Sequence, residues 1–215
     1  ENDFFTGKVN LLNSENKRKA IFIDRDGVIN KEVGNLRNAN EFKLINNVPK
    51  AIGMINNSNY LAIVITNQPV IAKGWCSFEE LHKIHSKMQT ELGYHNVFLD
   101  RIYFCPHHPD HGFDGEIKEL KIDCNCRKPE IGLIMKAVSD YNIELDGSFF
   151  IGDTTTDIKT ADNAGLTSLL VKTGYAGEDN KYKVKPNYVC DDLYSAVKKI
   201  FELDNLKNET YKSVN

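Results

Sequence analysis

Residues 20–29 read Ala20-Ile21-Phe22-Ile23-Asp24-Arg25-Asp26-Gly27-Val28-Ile29, and the architecture turns on this stretch. The run Ala20–Asp24 carries no polar alternation before its aspartate, which is the pattern of a strand covered on both faces, as in a parallel sheet. Two carboxylates then follow two residues apart, with a glycine to turn the chain. Residues at that spacing face the same side of a strand. A turn offsets them around one reacting centre, where the first attacks and the second handles a proton. A surface Asp-x-Asp turn is the plainer alternative, and the wholly apolar strand in front of it weighs against that reading.

Working outward, similar runs predict strands at Leu61–Thr66, Arg101–Phe104, Ser148–Gly152 and Thr167–Val171, with a weaker one at Tyr188–Cys190. Helical patterns lie between them. One runs from Val48 to Asn57, and a second opens with a Ser77–Glu80 capping box and turns Phe78, Leu81, Ile84, His85, Met88 and Leu92 to one face. A third has Pro129 at its first position. A fourth covers Thr156–Ala164 and stops at Gly165, and the last runs from Asp192 to Leu203. Strands alternating with helices imply an α/β fold built on a doubly wound parallel sheet, in which ligands bind at the C-terminal strand ends.

The motifs fall at those ends. Thr66 and Asn67 close the second strand, where a hydroxyl and backbone N–H groups suit phosphate oxygens; ordinary strand-end turn chemistry explains them equally well. Asp153 closes the fourth and can complete an oxygen shell for a hard cation such as Mg²⁺. Asp157 reads as a support behind the ligands of that ion or as a helix cap. Arg127-Lys128 offers cations to a phosphoryl group in transit, though an exposed basic pair is commonly just a solvated face. The cysteines are Cys76, Cys105, Cys124, Cys126 and Cys190. An odd number in a chain this long suits a reducing compartment. Cys105-Pro-His107 with Cys124-Asn-Cys126 makes a closed Cys₃His shell, the form of a structural zinc site.

Taken together and in this order, the segments Asp24–Asn30, Thr66–Gly74, Cys105–Pro109, Cys124–Pro129 and Gly152–Asp157 resemble the haloacid dehalogenase superfamily of phosphohydrolases. Within it they are similar to the subgroup of D-glycero-D-manno-heptose 1,7-bisphosphate 7-phosphatases and histidinol-phosphate phosphatases. The resemblance spans Lys19 to Val189. It implies a capless phosphatase in which Asp24 is the nucleophile and Asp26 the acid and base. Mg²⁺ would be held by Asp24, Asp26 through its backbone carbonyl, and Asp153. Arg25, Thr66, Asn67, Arg127 and Lys128 would bind substrate or phosphate, and a zinc loop would pin Arg127 and Lys128. Pro69 and Val70 stand where the subgroup has Ser-Gly, and Asn35 and Arg37 where Tyr and His are common.

Composition bounds the alternatives. Net charge is −3 with acids and bases interleaved, so no basic stripe awaits nucleic acid. No apolar run reaches membrane-spanning length, and the cytoplasm is the expected location. Residues 19–203 are expected to form the phosphatase domain, with a lead-in over 1–18 and a tail over 204–215. Asp3–Asn16 loosely resembles the end of a sugar-phosphate nucleotidyltransferase, a plausible fused or working partner. The leading function is removal of the 7-phosphate of heptose 1,7-bisphosphate through an aspartyl-phosphate. Histidinol-phosphate hydrolysis and a catalytically idle zinc module are the alternatives.

Overall fold

The computed structural model describes the backbone of residues 17–214 and side chains as far as Asn205. The nucleotidyltransferase-like segment Asp3–Asn16 lies outside the described residues. Among the described residues, six parallel strands form one sheet: β1 (Lys19–Ile23), β2 (Tyr60–Asn67), β3 (Arg101–Cys105), β4 (Phe149–Gly152), β5 (Thr167–Val171) and β6 (Tyr188–Cys190). Their order is β3-β2-β1-β4-β5-β6. Every predicted strand is present, within a residue or two at each end.

The helices are α1 (Val48–Asn56), α2 (Phe78–Gly93), α3 (Gly132–Tyr141), α4 (Thr155–Ala164) and α5 (Leu193–Val214). They cover both faces and create two cores. One packs Ile21, Ile23, Val64 and Ile151 against α1, α2 and α5. The other packs Phe22, Ile63, Ile65 and Phe150 against α3 and α4. Alternate residues of β1 feed opposite cores, which is why its sequence is apolar at every position.

Four local expectations are corrected. Ser77 Oγ accepts from Glu80 N at 3.0 Å, but the Glu80 carboxylate accepts instead from Ala39 N at 2.9 Å, so the box is half formed. Phe78 begins α2 half exposed rather than on its buried face. Pro129 precedes α3, which starts at Gly132; it belongs to a turn in which Glu130 N donates to Arg127 O at 2.9 Å. Finally, α5 continues past Leu203 through Val214, along residues such as Leu206, Lys207 and Glu209 that favour helix.

Consecutive connections leave β1 toward β2 on one side and reach β4 on the other. The switch point between β1 and β4 therefore opens a crevice at their C-terminal ends. Asp24 N donates to Ile151 O at 2.9 Å, extending that pairing by one residue and bringing Asp24 beside the end of β4.

Candidate active site

Asp24 leaves β1 at this crevice and Asp153 leaves β4 next to it. Asp24, Asp153 and Asp157 offer carboxylate oxygens within 4.8 Å of one another, and all three residues are buried. Lys128 Nζ sits among them, 2.8 Å from Asp24 Oδ1 and 2.6 Å from Asp157 Oδ1. The contact to Asp24 is an ion pair outside hydrogen-bonding alignment. Asp157 also closes a capping box with Thr154 at the start of α4, so both sequence readings of Asp157, cap and support of the site, meet in one side chain.

Three buried carboxylates against one lysine leave an excess of negative charge. Burial, only partly offset by Lys128 and reinforced by Asp157 and Asp26, pushes the Asp24 carboxyl up to about 7. Burial and the charges of Asp157 and Asp24 push Asp153 up to about 9. Lys128 loses affinity for its proton through burial and regains more from Asp157 and Asp24, so it stays charged. Asp153 Oδ2 accepts from Tyr175 N at 2.7 Å, while Asp153 Oδ1 is buried without a hydrogen-bond partner. An unpaired buried carboxylate oxygen beside a second anionic carboxylate fits a hard divalent cation such as Mg²⁺. Gly27 at φ 79° and Gly174 at φ 70° wrap this carboxylate, and a Cβ on either would collide with it.

Asp26 lies at the same mouth. Burial raises its pKa, but the Arg25 charge and hydrogen bonds from Arg25, Asn30 and Gln68 outweigh that and hold it below the usual carboxylate range. The bonds are short: Arg25 Nη2 at 2.8 and 2.6 Å, Asn30 Nδ2 at 2.9 Å and Gln68 Nε2 at 3.0 Å.

Arg25 is therefore a correction. Expected to bind substrate, its side chain is 0% exposed and is taken up by Asp26 and His85. Asn67 lines the cleft. Its amide clamps the backbone of Lys128, accepting from Lys128 N at 2.9 Å and donating to Lys128 O at 3.1 Å, so it holds the lysine in place. Thr66 also lines the cleft as expected and accepts from Gln68 Nε2 at 2.9 Å.

The four zinc-type side chains converge. Cys126 Sγ lies 3.1 Å from Cys105 Sγ and 3.3 Å from Cys124 Sγ. His107 Nδ1 lies 3.2 Å from Cys126 Sγ and 3.6 Å from Cys105 Sγ, and Cys105 to Cys124 is 3.5 Å. These edges approach those of a tetrahedron around zinc, roughly 3.7 Å for Zn–S bonds of about 2.3 Å. All five cysteines are free, and the cluster could hold a zinc ion. Arg127 Nη1 donates to His107 O at 3.1 Å, tying the basic residue to the loop.

A cleft of ≈ 580 Å³ joins these parts and is lined also by Glu32, Lys73, His108, Tyr175, Lys181 and Tyr182. Sequence reasoning missed all six as site residues. Lys73 lay inside a matched segment and His108 beside the cysteines, but the loop holding Tyr175 to Tyr182 carried no signal. His108 is buried edge-on to Phe113. Trp75 lies behind Lys73, with Arg37 4.5 Å and Lys73 4.8 Å from its ring centre and Phe113 edge-on.

Comparisons with known proteins agree with this geometry. The family model described as HAD-hydrolase-like matches residues 125–196. The chain is 37% identical over 161 residues to the D-glycero-beta-D-manno-heptose-1,7-bisphosphate 7-phosphatase of Haemophilus ducreyi, covering 74% of this chain and 86% of the relative. It is 38% identical to the D-glycero-alpha-D-manno-heptose-1,7-bisphosphate 7-phosphatase of Photorhabdus laumondii, over 74% and 86%. Among solved structures, D,D-heptose 1,7-bisphosphate phosphatase from B. bronchiseptica, complexed with magnesium and phosphate, superposes with a TM-score of 0.75 at 28% identity, covering 86% of this chain and 98% of that one. Similarity of that breadth shows that the chain belongs to the haloacid dehalogenase-like phosphatases.

Proposed function

We propose that this enzyme removes the 7-phosphate of D-glycero-D-manno-heptose 1,7-bisphosphate through a covalent aspartyl-phosphate on Asp24. The observation that carries the chemistry is the Asp24 carboxylate at the crevice, paired with Lys128 2.8 Å away. The substrate rests on the relatives' activities, and the basic residues Lys73, Arg127 and Lys181 along the cleft suit a second phosphate better than the ammonium of histidinol phosphate.

An Asp24 oxygen attacks phosphorus as the bond to the sugar oxygen breaks, and Asp26 gives that oxygen its proton. A water then loses a proton to Asp26 and attacks the same phosphorus, freeing Asp24 and leaving Asp26 protonated for the next sugar. Arg25, Asn30 and Gln68 stabilise the Asp26 carboxylate, the form that takes the proton of water in the second half. Thr66 and Lys128 hold the phosphoryl oxygens, and Arg127 contacts the remainder of the sugar. A magnesium ion held by Asp24, the Asp26 carbonyl and Asp153 would supply Lewis-acid charge to the phosphoryl group. Residues 19–203 carry this activity as one unit, and the free thiols suit a cytoplasmic setting.

Phosphate release should be measured for the heptose bisphosphate and for histidinol phosphate, with Mg²⁺ and with chelator. The expected outcome is faster turnover of the heptose compound, loss with chelator, and loss of at least about 10³-fold in Asp24→Asn. Faster turnover of histidinol phosphate would overturn the substrate, and an active Asp24→Asn would overturn the covalent mechanism.

A further inference from the structure

The guanidinium of Arg25 is wholly buried and has two sides. Nε and Nη2 face Asp26, while Nη1 lies 3.3 Å from His85 Nε2, contributed by α2 sixty positions along the chain. An arginine has only donors, so the imidazole nitrogen must accept, and the neutral ring then carries its proton on Nδ1. Burial and the Arg25 charge push His85 down to about 3. The ring is held edge-on to Phe104, centroids 5.7 Å apart, on a helix pinned by its Ser77 cap.

We infer that His85 is a positioning residue for the reaction: it fixes the Arg25 guanidinium so that the Asp26 carboxylate faces the cleft in one orientation. The inference rests on the acid–base role proposed above for Asp26. A neutral acceptor suits the task, because a carboxylate at position 85 would compete with Asp26 for the guanidinium. An apolar residue there would leave a buried donor without the acceptor it now has, and the guanidinium would turn to find another. A displaced guanidinium takes the Asp26 carboxylate with it, and small displacements of a reacting group are costly in rate.

The test compares His85→Leu and His85→Gln on the heptose bisphosphate and on p-nitrophenyl phosphate, whose leaving group needs no proton. His85→Leu should lower kcat on the sugar phosphate about 10- to 100-fold with KM unchanged. On the aryl ester it should show a burst of nitrophenolate stoichiometric with enzyme, then slow turnover, since hydrolysis of the aspartyl-phosphate still needs Asp26. His85→Gln, whose amide oxygen can replace Nε2, should restore kcat. Wild-type turnover in His85→Leu, equal losses on both substrates without a burst, or a His85→Gln as slow as His85→Leu would each overturn the inference. Arg25→Lys, which keeps the charge and loses the fork, serves as a second variant if His85→Leu does not fold; no burst there also overturns it. Asp26→Asn separates the two levels. If it turns over normally, the acid–base reading falls, whereas a slow Asp26→Asn beside a normal His85→Leu removes only the positioning role.

Discussion

Lys128 Nζ is shared between Asp24 and Asp157, both buried, and its loss strands two carboxylates away from water. Lys128→Met should therefore destabilise the chelated protein by about 3–5 kcal/mol in urea unfolding, and lower phosphate release by at least about 10²-fold through lost charge stabilisation. A stable but inactive Lys128→Met would mean that the carboxylates are neutralised by other means. At this scale much was legible. Asp24, Asp26, Thr66, Lys128 and Asp153 could be placed because each closes an apolar strand or follows a cysteine pair. The role of Arg25 was not legible: the side chain folds back onto Asp26, its own neighbour, and nothing in the local sequence separates that from a reach toward substrate. Its partner His85, sixty residues on, was beyond any local pattern, because only the packing of α2 on the sheet brings the two together.

The zinc-type loop and the helices differ in what they support. The loop leads directly into Arg127 and Lys128, and Lys128 is fixed a second time by the Asn67 amide. Cys126→Ser should reduce bound zinc, measured by metal analysis, and raise KM for the sugar phosphate several-fold while the Asn67 clamp preserves part of kcat. Unchanged kinetics in a zinc-free variant would show that the loop positions nothing. By contrast, Ser77 caps α2 without lining the cleft, and Ser77→Ala should cost about 1 kcal/mol of stability with kcat unaltered; calorimetry and phosphate release would check both. Helix interiors were readable from their apolar spacing, whereas their starts were not. Pro129 has the right chemistry for a first helical position, yet a neighbouring turn claims it, and Glu80 abandons its own helix end for the Ala39 backbone.

For the whole molecule, the excess carboxylates link stability to pH. Asp24 and Asp153 bind protons more tightly folded, at about 7 and about 9, than at their ordinary value of 3.8. The folded state thus holds more protons than the unfolded one between those limits, and stability falls as pH rises through them. In chelator, the thermal midpoint should drop from pH 5 to pH 9, each 1 kcal/mol lost costing about 2–4 °C. Saturating Mg²⁺ should flatten the slope by favouring the deprotonated carboxylates. A pH-independent midpoint in chelator would contradict the charge imbalance. The sheet order was not encoded in any single stretch; six strand positions permit several orders, and only tertiary packing selects the one that sets β1 beside β4. Trp75, the single tryptophan of the chain, stands where Arg37, Lys73 and Phe113 meet. Its emission is consequently a label-free optical reporter: a change in the cations over the indole, whether from an anion drawn to Lys73 or from a shift of the loop bearing Phe113, alters its intensity or wavelength before any product is made.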